Sequence, residues 1–260
     1  MEFILKNSDI ITVSTEYLKN KLINYNENII VIPNILMDLW NFSPTNKIEP
    51  IYSKQTIKIG YFGTRTHGKD IQIIENAINT IRKKFSDKKI VIETVGVSNE
   101  TPNWINRIKL PNNYKDNPTM TEKAKNIVQY FLNKVNLLPS SLPYCSFINW
   151  VINETEWDIG IAPLEDTNIN RSKSNLKYLE YTALNIPGVY SNIGPYKEIG
   201  EKNTGIVVNN TTEEWKNALA NLIEDNEIYE TILKNAHEDV RKNYMVENAS
   251  LIWKQILNKI

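Results

Sequence analysis

The chain has 260 residues, of which 41% are hydrophobic and 10% aromatic, enough for the core of one large α/β domain, or of one domain and part of another. Thirty basic and thirty acidic residues cancel, which argues against a general binder of nucleic acids or anionic membranes. Cys145 is the single cysteine; this excludes an internal disulfide framework and a cysteine-based zinc site, and it predicts a buried core thiol.

The N-terminus predicts neither a signal peptide nor a membrane span. It has no basic region followed by a long apolar stretch, and no window approaches the roughly 20 apolar residues that cross a bilayer. The expected location is therefore the cytoplasm, either in solution or at the inner face of the membrane.

Two short strands are predicted before a linker. Residues 9–14 predict a strand, residues 15–23 a helix, and residues 29–32 a second apolar strand. A buried strand needs neighbours on both sides, so a strand that begins this early predicts that most of its domain is missing. Residues 41–56 contain two prolines and scattered polar residues, and they predict a linker.

A strand, a glycine loop and a helix follow. Strands are predicted at residues 56–62 and 89–97, with a helix at 71–85 between them. The loop GTRTHGKD, residues 63–70, has the Gly, four residues, Gly, Lys spacing of a P-loop. Asp70 stands where a P-loop has the Ser or Thr that holds magnesium, so an ATP or GTP hydrolase ranks last among the interpretations.

The other residues of this loop suit a ligand. Gly63 is predicted to let the backbone approach it closely, while Arg65 and Lys69 supply positive charge. His67 either contacts the ligand or lies in solvent. The next stretch is less informative: residues 98–120 stay unassigned, and the other predictions are a helix at 121–135, a short strand at 142–147 and a helical turn at 147–152.

The most informative stretch lies between residues 157 and 198. It predicts a buried strand at 157–163, a helix at 173–184 and another strand at 188–191. The loop at 164–172 carries more polar side chains than a connection needs, namely Glu165, Asp166, Asn168, Asn170 and Arg171. This loop is therefore a candidate part of a binding site.

The helix predicted at 173–184 has a charged face. At about 100° per residue, Lys173, Lys177 and Glu180 fall on one side and apolar residues on an adjoining one. The unpaired amides and the positive dipole of the first turn predict a site for a phosphate or diphosphate, and Glu180 can accept hydrogen bonds from sugar hydroxyls. The alternative is an exposed face with ordinary Lys–Glu pairing.

The C-terminal part completes an alternating pattern. A strand is predicted at 206–208, followed by helices at 212–223, 228–244 and 248–257. Alternating strands and helices predict an α/β fold with a doubly wound parallel sheet and a helical C-terminal tail. Ligands bind at the carboxyl ends of the strands in such sheets, so the loops at 63–70, 164–172 and 192–198 are expected to open on one edge.

The order and spacing of these segments resemble the C-terminal, donor-binding half of GT-B glycosyltransferases, particularly family 4 and its bacterial surface-polysaccharide relatives. The matching segments are DIITVSTEYL followed by VIPN, KIGYFGTRTHGKD, DIGIAPLEDTNINRSKSNLKYLEYTALNIPGVYSN, and NIGPYKEIGEKNTGIVV. The resemblance implies a Rossmann-like donor-binding domain at residues 57–244. Residues 1–40 would then be the end of an acceptor domain and residues 245–260 a C-terminal helix.

The resemblance also implies an activity and roles for residues. The reaction would transfer a sugar from a nucleotide-diphosphate sugar to a hydroxyl of an acceptor glycan or lipid-linked glycan, generally with no bound metal and no other cofactor. Lys173 and Lys177 would neutralise the diphosphate, and Glu180 would bind the ribose. The further candidate donor contacts are Gly63, Thr64, Arg65, His67, Glu165, Asp166, Ser174, Asn175, Gly194, Pro195 and Tyr196. For Tyr196, packing and donor contact are both open.

Two features depart from the family pattern. The family often has two glutamates separated by seven residues, and Ser172 stands at the first position, so Glu165 or Asp166 is the predicted substitute. The acceptor domain is absent except for residues 9–23, which predicts either a fragment or an acceptor half supplied from elsewhere. The alternative function is a non-catalytic nucleotide-sugar-binding or scaffold module.

Overall fold

The computed structural model describes residues 2–43, 50–63, 67–97, 101–108 and 144–258. The strands are β1 Ile11–Val13, β2 Ile29–Val31, β3 Thr56–Phe62, β4 Lys89–Val95, β5 Asn106–Ile108, β6 Ile159–Ala162, β7 Gly188–Ser191 and β8 Ile206–Val208. The helices of the first half are α1 Glu2–Asn7, α2 Glu16–Leu22, α3 Gly68–Gln72 and α4 Glu75–Lys84. Those of the second half are α5 Tyr144–Glu154, α6 Asn168–Arg171, α7 Leu176–Ala183, α8 Lys197–Glu201, α9 Thr212–Glu224, α10 Asn226–Asn243 and α11 Val246–Leu257.

Six parallel strands form the main sheet in the order β5-β4-β3-β6-β7-β8. The chain winds outward from β3 to β5 and then returns to the other side of β3, where it continues through β6 to β8. The order therefore reverses between β3 and β6, which pair at Ile59 with Ile159 and at Gly60 with Gly160. This reversal is the topological switch point of a doubly wound sheet. The predicted α/β architecture is confirmed.

Helices cover both faces of this sheet. Successive strand residues point to opposite faces, so Val189 belongs to one apolar cluster and Tyr190 to the other. The first cluster lies under α4 and α9, where Trp215 is fully buried. The second lies under α5 and α7 and contains most of the buried aromatic rings. The sheet is thus the middle of three layers.

Close packing fixes α7 against the sheet. A Cβ atom added at Gly160 would lie 2.5 Å from the ring of Tyr181, so only glycine at this position of β6 allows the helix to come so near. The Tyr181 hydroxyl donates a hydrogen bond to the Ile161 carbonyl at 2.7 Å. These contacts set the position of every side chain that α7 presents at the sheet edge.

A smaller parallel sheet of β1 and β2 precedes the main one. Thr15 caps α2, and its side chain accepts a hydrogen bond from the Leu18 amide. The described helices include none that is long and apolar enough to cross a membrane. The C-terminal tail is helical, in agreement with the prediction.

Several local predictions are wrong. Residues 144–147 begin helix α5 instead of ending a strand, and Cys145 is exposed on it rather than buried. The single helix predicted at 71–85 is two helices, α3 and α4. The helix predicted from Lys173 begins only at Leu176. The predicted helix at 121–135 lies outside the described residues.

Candidate functional site

Asp70 joins the two strand ends at the switch point. It is 4% exposed, and its two carboxylate oxygens contact different partners. One accepts a hydrogen bond from the Glu165 amide, after β6, at 2.8 Å, and the other lies 2.6 Å from Nδ1 of His67, after β3. Asp70 therefore holds the glycine loop against the loop after β6. Both carboxylate oxygens of Asp70 contact groups of the protein itself, which does not favour the interpretation as a magnesium-dependent ATP or GTP hydrolase.

A second polar network fixes the neighbouring strand ends. The buried hydroxyl of Ser191, at the end of β7, accepts from the Leu164 amide at 2.8 Å and donates to Oδ1 of Asn210 at 2.6 Å. The Asn210 side-chain amide in turn donates to the Leu164 carbonyl at 2.9 Å. Buried, fully paired polar groups of this kind hold a loop in one geometry. The carboxyl edge of β6, β7 and β8 is consequently rigid.

Lys173 lies just before α7 and points toward the glycine loop. Its Nζ atom is 3.5 Å from Nε2 of His67. Burial lowers the pKa of Lys173; the charge of Asp70 partly opposes this shift, and the charge of Lys177 adds to it. The two lysines are thus close enough to repel each other, as the sequence predicts, although Lys173 is outside the helix.

Glu180 is a buried carboxylate on α7, with 5% of its surface exposed. Its Oε2 atom is 3.1 Å from Nζ of Lys177, and its Oε1 atom accepts a hydrogen bond from the Tyr144 hydroxyl at 3.5 Å. The Lys177 ammonium also lies 4.0 Å from the centre of the Phe62 ring, a cation–π contact. Lys177 and Glu180 form the Lys–Glu pair that is common on exposed helix faces, but here the pair is largely buried.

The start of α7 has backbone amides that lack partners within the helix. Asn175 is the N-cap residue, but its side chain makes no capping hydrogen bond. The first amides of any helix lack partners within that helix, so those of Leu176 and Lys177 point outward. Ser174 precedes the cap, and its hydroxyl accepts a hydrogen bond from Asn34 at 2.6 Å. The segment that follows β2 thereby contacts the loop that leads into α7.

Glu165 and Asp166 lie on the outside of the loop. Both side chains are exposed. Asp166 forms a two-bond pair with Arg171, at 2.5 Å and 2.7 Å, and this pairing lowers the pKa of Asp166. Ser172, at the position of the family's first glutamate, donates to the Asn168 carbonyl at 2.9 Å. The predicted role of Glu165 or Asp166 as a substitute carboxylate remains a prediction.

The turn at Gly194, Pro195 and Tyr196 forms a 3-10 helix against the same loop. Gly194 has a φ of 39°, and an added Cβ would lie 2.6 Å from the Arg171 carbonyl oxygen, so glycine is required there. Tyr196 is buried, with its ring 5.0 Å from that of Tyr190. Burial raises the pKa of Tyr196, and the charges of Glu180 and Asp70 add to this effect. Tyr196 packs, and its hydroxyl is within electrostatic reach of both carboxylates.

The glycine loop is described only in part. The Gly63 amide donates to the Val95 carbonyl at 3.0 Å, and Gly96, with a φ of 76°, brings the chain after β4 against the Gly63 carbonyl. Thr64 and Arg65 lie outside the described residues. Within the described ranges, no group of three or more His, Cys, Asp or Glu side chains is placed to hold one metal ion.

Sequence reasoning missed three contributors to this site. Tyr144 carries no signal, because a lone tyrosine within a short predicted strand is ordinary. From the sequence, Ser191 belongs only to a strand and Asn210 only to the region between two elements, yet they join β6, β7 and β8. The available signal is position alone, since Ser191 ends one predicted apolar strand and Asn210 follows another, at the edge where the ligand loops are expected.

No protein-family model matches the sequence, and no curated protein matches it. Solved structures match over nearly the whole chain. Sucrose-phosphate synthase of Thermosynechococcus elongatus is 15% identical with a TM-score of 0.59, covering 99% of this chain and 60% of its own. TarM of S. aureus, in complex with fondaparinux, α-GlcNAc-glycerol and UDP, is 15% identical with a TM-score of 0.62, covering 99% and 46%.

HepE of Anabaena, in complex with UDP-glucose, is 13% identical with a TM-score of 0.64, covering 99% of this chain and 65% of its own. At these identities the similarity shows the fold alone. The chain has the Rossmann-like fold found in GT-B glycosyltransferases. It spans between about half and two thirds of the length of these proteins.

Proposed function

We propose that this chain is the donor-binding half of a glycosyltransferase, which transfers a sugar from a nucleotide-diphosphate sugar to an acceptor hydroxyl. Surface polysaccharide or glycoconjugate synthesis is the proposed setting, with an acceptor glycan or lipid-linked glycan. The observation that carries the proposal is the cluster of Lys173, Lys177 and Glu180 at the switch point of a GT-B-like sheet. The acceptor half would come from further chain or from a partner.

The diphosphate would bind between Lys173 and the start of α7. A diphosphate needs concentrated positive charge and several hydrogen-bond donors, and both are available here. Lys173 and Lys177 are close enough that their mutual repulsion affects the pKa of Lys173. An anion between them removes this repulsion, and the outward amides of the first turn of α7 add donors. His67, beside Lys173, is a further contact in this arrangement.

Glu180 would accept hydrogen bonds from the ribose hydroxyls. A carboxylate has about four acceptor positions. One is used by Lys177 and one by the long hydrogen bond from Tyr144, so positions remain for two neighbouring hydroxyls. The buried location strengthens such hydrogen bonds, because water competes less well.

The chemical step would be an electrostatically assisted displacement. The acceptor oxygen forms a bond to the anomeric carbon of the sugar, and the bond from that carbon to the diphosphate oxygen breaks. The bonding electrons and negative charge pass to the leaving diphosphate, where Lys173, Lys177 and the helix amides stabilise them. The proton of the acceptor hydroxyl leaves on the acceptor side, to a base that the acceptor half provides.

Isothermal titration with UDP, UDP-glucose, GDP and GDP-sugars tests donor binding. UDP compounds come first because TarM and HepE were solved with UDP and UDP-glucose. Lys173→Ala and Lys177→Ala are each expected to weaken binding by about tenfold or more, since each removes a charge-assisted contact. Lys84→Ala is the matched control, because Lys84 forms an exposed pair with Glu224 away from the site. The proposal would be contradicted if the wild type bound none of these compounds.

A non-catalytic nucleotide-sugar-binding module is the second candidate. Ser172 in place of the family's carboxylate favours it. The discriminating experiment adds an acceptor half in trans and follows release of the nucleoside diphosphate. Binding without turnover for every donor–acceptor pair supports the module, whereas turnover that Lys173→Ala removes supports the enzyme.

A further inference from the structure

A row of four aromatic rings runs from the core to the edge of the candidate site. Trp157 stacks on Phe62 with ring centres 5.6 Å apart, Phe62 meets Phe147 edge-on at 5.8 Å, and Phe147 lies nearly parallel to Tyr144 at 6.3 Å. The first three rings are buried or half-buried. Tyr144 ends the row and is 45% exposed.

The exposed ring is tied to the carboxylate of the site. The Tyr144 hydroxyl donates to Oε1 of Glu180 at 3.5 Å, while Lys177 holds Oε2. Partial burial and the charge of Glu180 raise the pKa of Tyr144, so the hydroxyl keeps its proton and remains a donor. The position of the ring is thus fixed by Phe147 beside it and, at its hydroxyl, by the side chains of Glu180 and Trp40.

The proposed function places a ribose at Glu180. In a nucleotide the base is attached to the carbon next to the one that carries the 2′-hydroxyl. A base on a ribose held by Glu180 therefore lies within reach of the side chain that touches the same carboxylate. An exposed aromatic ring at this position offers a flat apolar surface, and nucleobases stack on such surfaces.

We infer that Tyr144 is the stacking surface for the nucleobase of the donor, with its hydroxyl bound to Glu180; this inference rests on the proposed function. Stacking uses the face of the base and not its edge, so it accepts any base. Tyr144 accordingly adds affinity for uracil and guanine nucleotides alike. The choice between them lies with other residues.

Titration of the wild type, Tyr144→Ala and Tyr144→Phe with UDP, GDP and inorganic pyrophosphate tests the inference. Tyr144→Ala is expected to weaken UDP and GDP binding roughly 5- to 150-fold, the range for loss of one base-stacking ring. Pyrophosphate has no base, so its affinity is expected to stay unchanged. Tyr144→Phe keeps the ring and is expected to retain UDP affinity within about twofold, because the lost hydrogen bond is long. Tyr52→Ala, at another exposed tyrosine before β3, is the control.

Three results would overturn the inference while the proposed function stands. UDP affinity could be unchanged in Tyr144→Ala, pyrophosphate affinity could fall as far as UDP affinity, or Tyr144→Phe could lose as much as Tyr144→Ala. The last result would make Tyr144 a positioning residue that acts through its hydroxyl. A wild type that binds pyrophosphate but neither UDP nor GDP would overturn the inference and the proposed function together.

Discussion

Two ion pairs at the same edge of the sheet differ in almost every respect. Asp166 and Arg171 form two short hydrogen bonds at an exposed position. Lys177 and Glu180 are farther apart, at 3.1 Å, but the Glu180 side chain is almost completely buried and the ammonium lies over Phe62. Geometry alone would rank the first pair higher.

Burial reverses that ranking. An exposed pair exchanges its partners with water at little cost, and salt screens it further. A buried carboxylate is costly unless it is paired, so its retention requires either structural compensation or a use. The density of polar residues in the loop at 164–172 therefore says less about function than the single buried glutamate on α7.

The largest expected effect follows from Glu180→Gln. This change keeps the shape but removes the charge, leaving the ammonium of Lys177 partly buried without its partner. We expect affinity for UDP-sugars to fall by about tenfold or more, and the free energy of unfolding to fall by about 2 kcal/mol, because Lys177 can still turn partly toward water. Titration calorimetry and denaturant unfolding measure the two effects. Unchanged affinity would show that burial of the pair serves the fold alone.

Ser191→Ala should give the next largest effect, on stability. The variant removes the acceptor of the Leu164 amide and the donor to Asn210, both at a buried position. Buried polar groups that lose their partners cost about 2 kcal/mol here, which corresponds to a fall in Tm of about 5 °C. Ser53→Ala, at an exposed serine, provides the control in the same thermal scan. Equal Tm values for the two variants would show that the hydrogen bonds of Ser191 do not stabilise this edge of the sheet.

Lys173 gives a pH dependence with a definite sign. Burial lowers its pKa, so in the free protein its positive charge is lost at a lower pH than for an ordinary lysine. Diphosphate affinity should therefore begin to fall, as the pH is raised, below the ordinary lysine value of about 10.4. In Lys173→Arg the guanidinium stays charged, and the decline should move to higher pH. If diphosphate affinity declined over the same pH range in the wild type and in Lys173→Arg, the decline would come from the titration of another group.

The sequence predicts the sheet well because buried strands leave a local pattern. Thr56–Phe62 and Gly188–Ser191 are recovered at both ends, since their apolar residues are continuous and are followed by turn or loop residues. The edge strand β5 is missed, because its three residues include an exposed Asn and an exposed Arg. Tyr144–Glu154 is mistaken in its first turn for a strand, since a short apolar run fits either structure.

The sequence predicts part of the arrangement of the candidate residues but not their contacts. Spacing places Lys177 and Glu180 on one face, and the structure keeps them there. The spacing does not predict that Asn175 caps the helix and leaves Lys173 outside it. Nor does it predict that Asp70 contacts Glu165, which lies 95 residues away in another loop. Such contacts depend on which strand ends meet, and a periodic pattern carries no information about distant pairing.

The smallest expected effect comes from Asp166→Asn, and it tests the comparison directly. Asp166 is predicted from the family pattern to replace a missing carboxylate, yet Arg171 already occupies both of its oxygens. If burial marks the functional carboxylate, Asp166→Asn should leave the Tm unchanged and UDP-sugar affinity within about twofold of the wild type, because an exposed pair contributes little. Should affinity instead fall as far as in Glu180→Gln, the exposed pair must open to bind the sugar. Asp166 would then be able to bind the sugar because it is exposed in the free protein. Burial would no longer distinguish a functional ion pair from a non-functional one.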